Sequence, residues 1–80
     1  MTEERRKTLV KQAKAEAEDA KVGVRNSRKD ANDEVKRLQK EGLSEDDSKA
    51  VEASIQELTD QYGAKIDKIL EAKEVDIMKV

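Results

Sequence analysis

The sequence predicts an all-α fold, a long antiparallel helical hairpin that supplies two helices of a three-helix bundle. Apolar residues recur at helical spacing, the 80 residues contain no proline, and one strong turn signal divides the chain near Gly42. Charged residues make up 45% of the chain, a value that also occurs in disordered proteins, but the regular apolar spacing favours helices. We therefore expect a single helical domain over residues 1–80, with helices at about 3–41 and 45–77 and a turn at 42–44.

The first helix is predicted to begin after Thr2, whose hydroxyl oxygen can accept a hydrogen bond from a free N–H group of the first turn. Glu3 and Glu4 then suit the positive end of the helix dipole. One apolar stripe of helical period follows, formed by Leu9, Val10, Ala13, Ala17, Ala20, Val24, Ala31, Val35 and Leu38. Because it is rich in alanine, this stripe permits close helix approach but buries little area.

A tight turn should end the first helix. Gly42 suits the left-handed position after the helix, which brings Leu43 against Leu38 as in a Schellman motif, and Ser44 suits the N-cap of the second helix. The apolar stripe of that helix consists of Val51, Ile55, Leu58, Tyr62, Ile66, Ile69, Leu70 and Ile77. At 1.5 Å per residue the helices would be about 58 and 50 Å long, and the short connection makes them antiparallel neighbours.

The second stripe is about 120° wide, too wide and too aliphatic for one alanine-rich partner. Each large aliphatic side chain left in water forgoes roughly 1.5–3 kcal/mol of burial energy. We therefore expect another helix to complete the bundle. Either it comes from a second copy, most simply in an antiparallel dimer that forms a four-helix bundle, or it comes from sequence beyond these 80 residues.

Composition argues against an enzyme and against a cofactor or metal site. The chain has no cysteine and no histidine, so it has no thiolate zinc ligand and lacks the commonest general base and metal ligand, and no nucleophile motif is present. The Glu45–Asp47 cluster could hold a divalent ion, but helix capping explains these acids better. Tyr62 lies on the apolar stripe and is expected in the core rather than as a functional hydroxyl. No apolar run approaches the roughly 20 residues that span a bilayer, and no signal peptide is recognised, so we expect a soluble cytoplasmic protein without membrane contact.

Charge is distributed unevenly along the chain. Residues 1–43 hold 12 Lys and Arg against 9 Asp and Glu, whereas residues 44–80 hold 5 against 10. On a helical projection with Leu9 at 0°, a basic sector between about 100° and 220° contains Lys7, Lys11, Lys14, Lys21, Arg25, Arg28, Lys29, Lys36 and Lys40. Most acids of the helix lie in another sector.

A solvated helix surface with i,i+4 ion pairs is the simpler explanation of these charges, but segregation of sign counts against it. With one tyrosine and no other aromatic residue, base stacking is excluded as the main binding mode. The remaining possibility is recognition of the phosphate backbone of folded nucleic acid, and Lys21, Arg25, Arg28 and Lys29 are the candidate residues.

Four segments carry a family resemblance: T-E-E-R-R-K at 2–7, K-V-G-V-R-N-S-R-K-D-A-N at 21–32, G-L-S-E-D-D at 42–47 and A-K-E-V-D-I-M-K-V at 72–80. Together they resemble the C-terminal part of bacterial ribosome recycling factor, without a gap over all 80 residues. The resemblance implies a long three-helix bundle with a small β-rich domain inserted after its first helix. It also implies a factor that binds between the ribosomal subunits after termination. With elongation factor G and GTP, that factor splits the ribosome and releases mRNA and tRNA, catalysing no chemistry itself.

The resemblance further implies that the bundle docks on large-subunit ribosomal RNA through arginines matching Arg6, Arg25 and Arg28. Lys21 and Lys29 are added from the basic sector. The family's first helix and its β-domain have no counterpart in these residues, so we expect this chain alone to be inactive in recycling. The alternative is a purely structural helical hairpin that mediates oligomerisation without binding RNA.

Overall fold

The computed structural model describes residues 2–79 and contains two long helices, α1 (Glu3–Lys40) and α2 (Glu45–Lys79). They lie side by side and antiparallel in a body of 60 × 15 × 8 Å, whose smallest dimension is the thickness of one helix layer. The radius of gyration is 18.2 Å, against about 12 Å for a compact domain of this length. The all-α hairpin predicted from the sequence is confirmed, with α2 extending two residues beyond the predicted end.

Both helix starts are capped as predicted. The Arg5 N–H donates to Thr2 Oγ1 at 3.1 Å, and the Asp47 N–H donates to Ser44 Oγ at 3.0 Å. Each bond satisfies a first-turn N–H that has no partner within its own helix. Acidic residues fill the first turn of both helices, where the helix dipole favours negative charge.

The turn between the helices is the predicted Schellman motif. Gly42 has φ +117°, a conformation that side-chain-bearing residues rarely adopt. The Leu43 N–H donates to Leu38 O at 2.9 Å, and the Gly42 N–H donates to Gln39 O at 3.2 Å. These two bonds satisfy the last carbonyls of α1 and reverse the chain within four residues.

The core between the helices is thin. Among the described residues only Ala13 and Val35 are buried apolar side chains, and Ser48, 2% exposed, is the one buried polar side chain. The Ser48 hydroxyl is satisfied because it donates to Ser44 O at 2.8 Å. Larger side chains of α2, including Ile55, are only half buried. Packing between α1 and α2 therefore buries only part of the hairpin's apolar surface.

The unused part of the α2 stripe forms an exposed ridge on one side of the hairpin. Val51, Leu58, Tyr62 and Ile69 are 41%, 53%, 53% and 60% exposed. Tyr62, expected in the core, is thus not covered within this chain, and Lys65 lies over its ring with Nζ 5.3 Å from the centroid. The wide α2 stripe is thus only partly covered by α1 within the described residues, and what else covers it stays a prediction.

An open groove runs between this ridge and α1. Its central part encloses about 440 Å³ and is lined on the α1 side mainly by small residues, namely Ala20, Gly23, Val24, Ser27 and Ala31. It continues toward the free ends of the helices past Ala13 and Ala17, beneath Ile69 and Lys73. We call the side of the hairpin that carries this groove and the ridge the groove face.

Candidate nucleic-acid interface

Most basic residues of α1 flank the α1–α2 contact on the side away from the groove face, whereas Arg28 lies at the contact and also lines the groove. Successive residues are about 100° apart around a helix, which places Arg25 roughly 90° to one side of the contact and Ser27 a similar angle to the other. The candidates Lys21, Arg25, Arg28 and Lys29 occur within about two turns and form what we call the basic flank.

Lys21 is engaged with the other helix. Its Nζ lies 2.6 Å from Asp67 Oδ1 on α2, and its side chain is 35% exposed. The pair joins the two helices across the edge of their contact. Of the candidate side chains, Lys21 is therefore the one that α2 itself holds in place.

Arg25 projects into solvent. Its side chain is 55% exposed, and one terminal guanidinium nitrogen donates to Glu18 Oε1, two turns earlier on the same helix, at 3.2 Å. Glu18 is itself 63% exposed, and ion pairs of this kind contribute between zero and about 1 kcal/mol. A phosphate can therefore replace Glu18 as the partner of Arg25 at small cost.

Neither Arg28 nor Lys29 has an ion-pair partner among the described residues. Within residues 2–79 no carboxylate lies within 4.0 Å of either side chain nitrogen. Arg28 is half buried next to the groove, so packing steadies part of its side chain, whereas Lys29 is exposed. A steadied guanidinium retains its planar fork of donors for a phosphate at lower entropic cost.

Arg6 lies apart from the basic flank. It is 19 residues before Arg25, which corresponds to about 28 Å along the helix. Its half-buried side chain lines a depression of about 320 Å³ near the free end of the hairpin, together with Glu3, Lys7, Val10, Lys11, Lys14 and Met78. An RNA that contacts both Arg6 and the basic flank must follow about half the length of α1.

The acidic side of α1 contains one local network of exposed ion pairs. Arg37 donates to both oxygens of Glu34 and, at 2.8 Å, to Glu41 Oε1. The hydrogen bond from Arg37 lowers the pKa of the Glu34 carboxyl, and the same contact raises the pKa of Arg37. Arg37 is thereby occupied by two acids and differs in this respect from Arg28.

No group of three or more Asp, Glu, Cys or His side chains within residues 2–79 is placed to hold a metal ion. Neither α1 nor α2 contains an apolar segment long enough to cross a membrane.

The structure thus brings four of the five predicted residues together and places Arg6 at a distance. The predicted RNA-binding residues did not include Lys7, Lys11 and Lys14, which line the same depression as Arg6. Their i, i+4, i+7 spacing is visible in the sequence and places them on one helix side. What the sequence does not reveal is that Met78 of α2 also lines the depression.

Comparison with known proteins identifies relatives of the whole chain. The family model described as "Ribosome recycling factor" matches residues 1–78. A ribosome-recycling factor of Flavobacterium johnsoniae is 61% identical over 80 residues, which is 100% of this chain and 43% of the relative. Those of Christiangramia forsetii and Bacillus subtilis are 61% and 53% identical, with 42% and 44% of their length covered. The chain therefore spans less than half the length of the curated relatives it matches.

Proposed function

Because this chain belongs to the ribosome recycling factor family, we propose that it binds large-subunit ribosomal RNA as part of ribosome recycling after termination. In this proposal the hairpin sits between the subunits, in the cytoplasm, and the family's partner elongation factor G supplies the force that splits the ribosome. The protein's own role is binding and positioning, and no bond is made or broken by its side chains.

The observation that supports RNA binding most directly is the state of Arg28. It lies on a stiff helix, half buried beside the groove, and no carboxylate of the described residues neutralises it. Arg25 and Lys29 extend the same positive surface, one on each side along α1. Guanidinium groups held in this way grip phosphate oxygens through paired hydrogen bonds, which suits recognition of a folded RNA by shape.

Salt-dependent binding tests this proposal. The chain should bind ribosomes or large-subunit RNA with an affinity that falls as salt rises, because each neutralised phosphate releases counterions. Arg25→Ala and Arg28→Ala should each weaken binding by about tenfold and together lower the salt slope by roughly 2. Arg5→Ala, which removes an exposed arginine from another side of α1, is the matched control and should leave binding nearly unchanged.

Circular dichroism completes the test. Arg25 is exposed and Arg28 is half buried, but alanine is a better helix former than arginine, so helix content should be the same in every variant. Loss of helix content along with binding would show that the arginines are structural. If Arg5→Ala and Arg28→Ala lost equal binding affinity, binding would depend on overall charge rather than on the basic flank, and the site assignment would be contradicted.

The second candidate function is a structural hairpin that mediates oligomerisation without RNA, and the exposed Leu58, Tyr62 and Ile69 are the observation in its favour. This function predicts no binding to ribosomes at any salt concentration. Self-association by itself does not separate the two candidates, because Arg25 and Lys29 lie on the side of the hairpin away from the ridge, although Arg28 lines the groove beside it.

We also expect the 80-residue chain not to recycle ribosomes by itself. It spans 43% of its Flavobacterium johnsoniae relative, and half of the α2 stripe has no cover within the described residues. Subunit splitting at a normal rate by this chain with elongation factor G and GTP would contradict that expectation.

A further inference from the structure

Asn32 carries a buried hydrogen-bond acceptor that no described residue satisfies. Its side chain is half buried, and its Oδ1 atom is covered from solvent without a hydrogen-bond partner. Turning the amide over would place an NH2 group in the same position, and that group would need an acceptor instead. Folded proteins keep few such groups because each one costs stability, and those that remain are concentrated at functional sites.

The ion pair between Lys21 and Asp67 fixes where Asn32 lies. Asn32 is 11 residues after Lys21 on α1, and Gln56 is 11 residues before Asp67 on α2. Eleven residues are close to three full turns, so Asn32 and Gln56 lie level with each other, on the same side as the ion pair and about 16 Å nearer the turn at Gly42. This is the side of the basic flank, and Asn32 is not among the described residues that line the groove. Because the hairpin itself already covers Oδ1, its partner must be a neighbouring side chain of the same hairpin.

Two side chains with N–H donors lie next to the Asn32 amide. Side chains on a helix lean toward its N-terminal end, so the Asn32 amide lies over the turn that contains Arg28, four residues earlier. Residues at this spacing are about 40° apart around the helix, which allows polar side chains to hydrogen-bond. Gln56 is the other donor. Its Nε2 donates to Asp60 Oδ1 at 2.9 Å, which leaves one N–H for a second acceptor.

We propose that Asn32 is a positioning residue for RNA binding, whose Oδ1 accepts a hydrogen bond from the Arg28 guanidinium when that guanidinium holds a phosphate. This inference rests on the RNA binding proposed above, and Asn32 itself touches no RNA. A guanidinium has five N–H donors, so a phosphate held by two of them leaves three for the protein. Since Oδ1 has no partner in the free hairpin, the bond is made only in the complex, and its free energy adds to binding rather than to folding.

Arg28 suits this role better than the other donors near Asn32. It is half buried, as Asn32 is, whereas Lys29 and Gln56 are exposed. A bond from Gln56 requires no RNA, yet the free hairpin does not make it. Arg28 lines the groove in the free hairpin, and a phosphate on the basic flank draws its guanidinium toward Asn32. The buried oxygen is thus the second partner of a guanidinium whose first partner is the RNA.

A double-mutant cycle on binding to large-subunit ribosomal RNA tests the inference. Asn32→Ala should weaken binding by about three- to tenfold, but should have no effect in the Arg28→Ala background, where the bond has lost its donor. Asn26→Ala is the matched control. It makes the same substitution at an exposed residue about 120° away around α1 and should leave the affinity unchanged. Equal losses from Asn32→Ala in both backgrounds would show that Asn32 acts independently of Arg28 and would overturn the inference.

Salt dependence separates a failure of this inference from a failure of the proposed function. Asn32 is uncharged, so Asn32→Ala should leave the salt slope of binding unchanged, whereas Arg28→Ala should lower it by about 1. If Arg28→Ala weakens binding and Asn32→Ala does not, RNA binding stands and the positioning role is wrong. If the unmodified chain does not bind the RNA, the proposed function fails and this inference fails with it.

Urea unfolding separates a positioning role from a structural one. Asn32→Ala removes an acceptor that has no partner in the free hairpin, and alanine is the better helix former, so the unfolding midpoint should stay the same or rise. A lower midpoint together with weaker binding would show that Asn32 supports the fold instead. The effect of Asn32→Ala on binding should also persist in the Gln56→Ala background. Its disappearance there would make Gln56 the partner and would equally overturn the role of Arg28.

Discussion

The ion pair between Lys21 and Asp67 gives the sharpest test of how the two helices are joined. Lys21→Met keeps most of the aliphatic side chain and removes the charge that lies 2.6 Å from Asp67 Oδ1. Because the two side chains are 35% and 61% exposed, water screens the attraction, and the pair should contribute about 0.5–1 kcal/mol. For a domain of this size, that loss lowers the melting temperature by about 2–8 °C.

A double-mutant cycle isolates the interaction from other effects of each change. Lys21→Met, Asp67→Asn and the double variant are unfolded by urea at one fixed protein concentration, since self-association would otherwise alter apparent stability. The coupling energy should be about 0.5–1 kcal/mol at low salt and should shrink at high salt, where charges are screened. A coupling energy of zero at low salt would show that the pair does not hold the helices together in solution.

The same variant tests the assignment of Lys21 to the RNA site. If Asp67 retains Lys21, Lys21→Met should weaken ribosome binding less than Arg28→Ala does. Asp67→Asn, which releases the lysine and removes a negative charge, should strengthen binding slightly. An equal loss of affinity for Lys21→Met and Arg28→Ala would mean that Lys21 leaves Asp67 to contact RNA.

Three further predictions concern single contacts. Arg37→Gln should return the pKa of Glu34 upward toward its ordinary value of 4.5, as measured by NMR titration. The pKa of Glu34 is lower in the folded state than in the unfolded state. The contact therefore stabilises the fold at pH values above the ordinary pKa, and this stabilisation is lost as the pH falls through the lowered pKa. Ser44→Ala should lower the free energy of unfolding by about 1 kcal/mol through loss of the bond to the Asp47 N–H, and Ser44→Asp, another good cap, should restore it. Val35→Ala should cost about 2 kcal/mol in urea unfolding, because Val35 is 3% exposed in a core with few other buried side chains.

Short-range sequence patterns were sufficient to predict the two helices and their ends. The caps at Thr2 and Ser44 and the left-handed Gly42 depend on residues within four positions of one another, so the sequence contains all the information required. The hairpin follows from them, because two long helices joined by so short a turn can only lie antiparallel.

The sequence did not predict which half of the α2 stripe would face α1. Ile55 and Tyr62 lie on the same stripe, but the first is half buried and the second is 53% exposed, a difference that depends on how the helices rotate against each other. The sequence did not reveal that Asp67 is the partner of Lys21 for the same reason, since Asp67 is distant from Lys21 in the chain. The basic sector places Arg25 and Arg28 about 60° apart around the helix, but angles on one helix cannot show which cations the other helix occupies.

The two glycines Gly42 and Gly63 provide a test in which one substitution should have opposite effects. Gly63 lies inside α2, and an added Cβ would have no heavy atom within 4 Å, so Gly63→Ala should raise the free energy of unfolding by about 1 kcal/mol. An added Cβ at Gly42 would be equally free of neighbours, but φ there is +117°, and Gly42→Ala should therefore cost about 1–2 kcal/mol. Because contacts are absent at both positions, the difference in sign must come from the backbone alone. Thermal unfolding at one protein concentration measures both, and stabilisation by Gly42→Ala would show that the chain does not reverse through the Schellman turn.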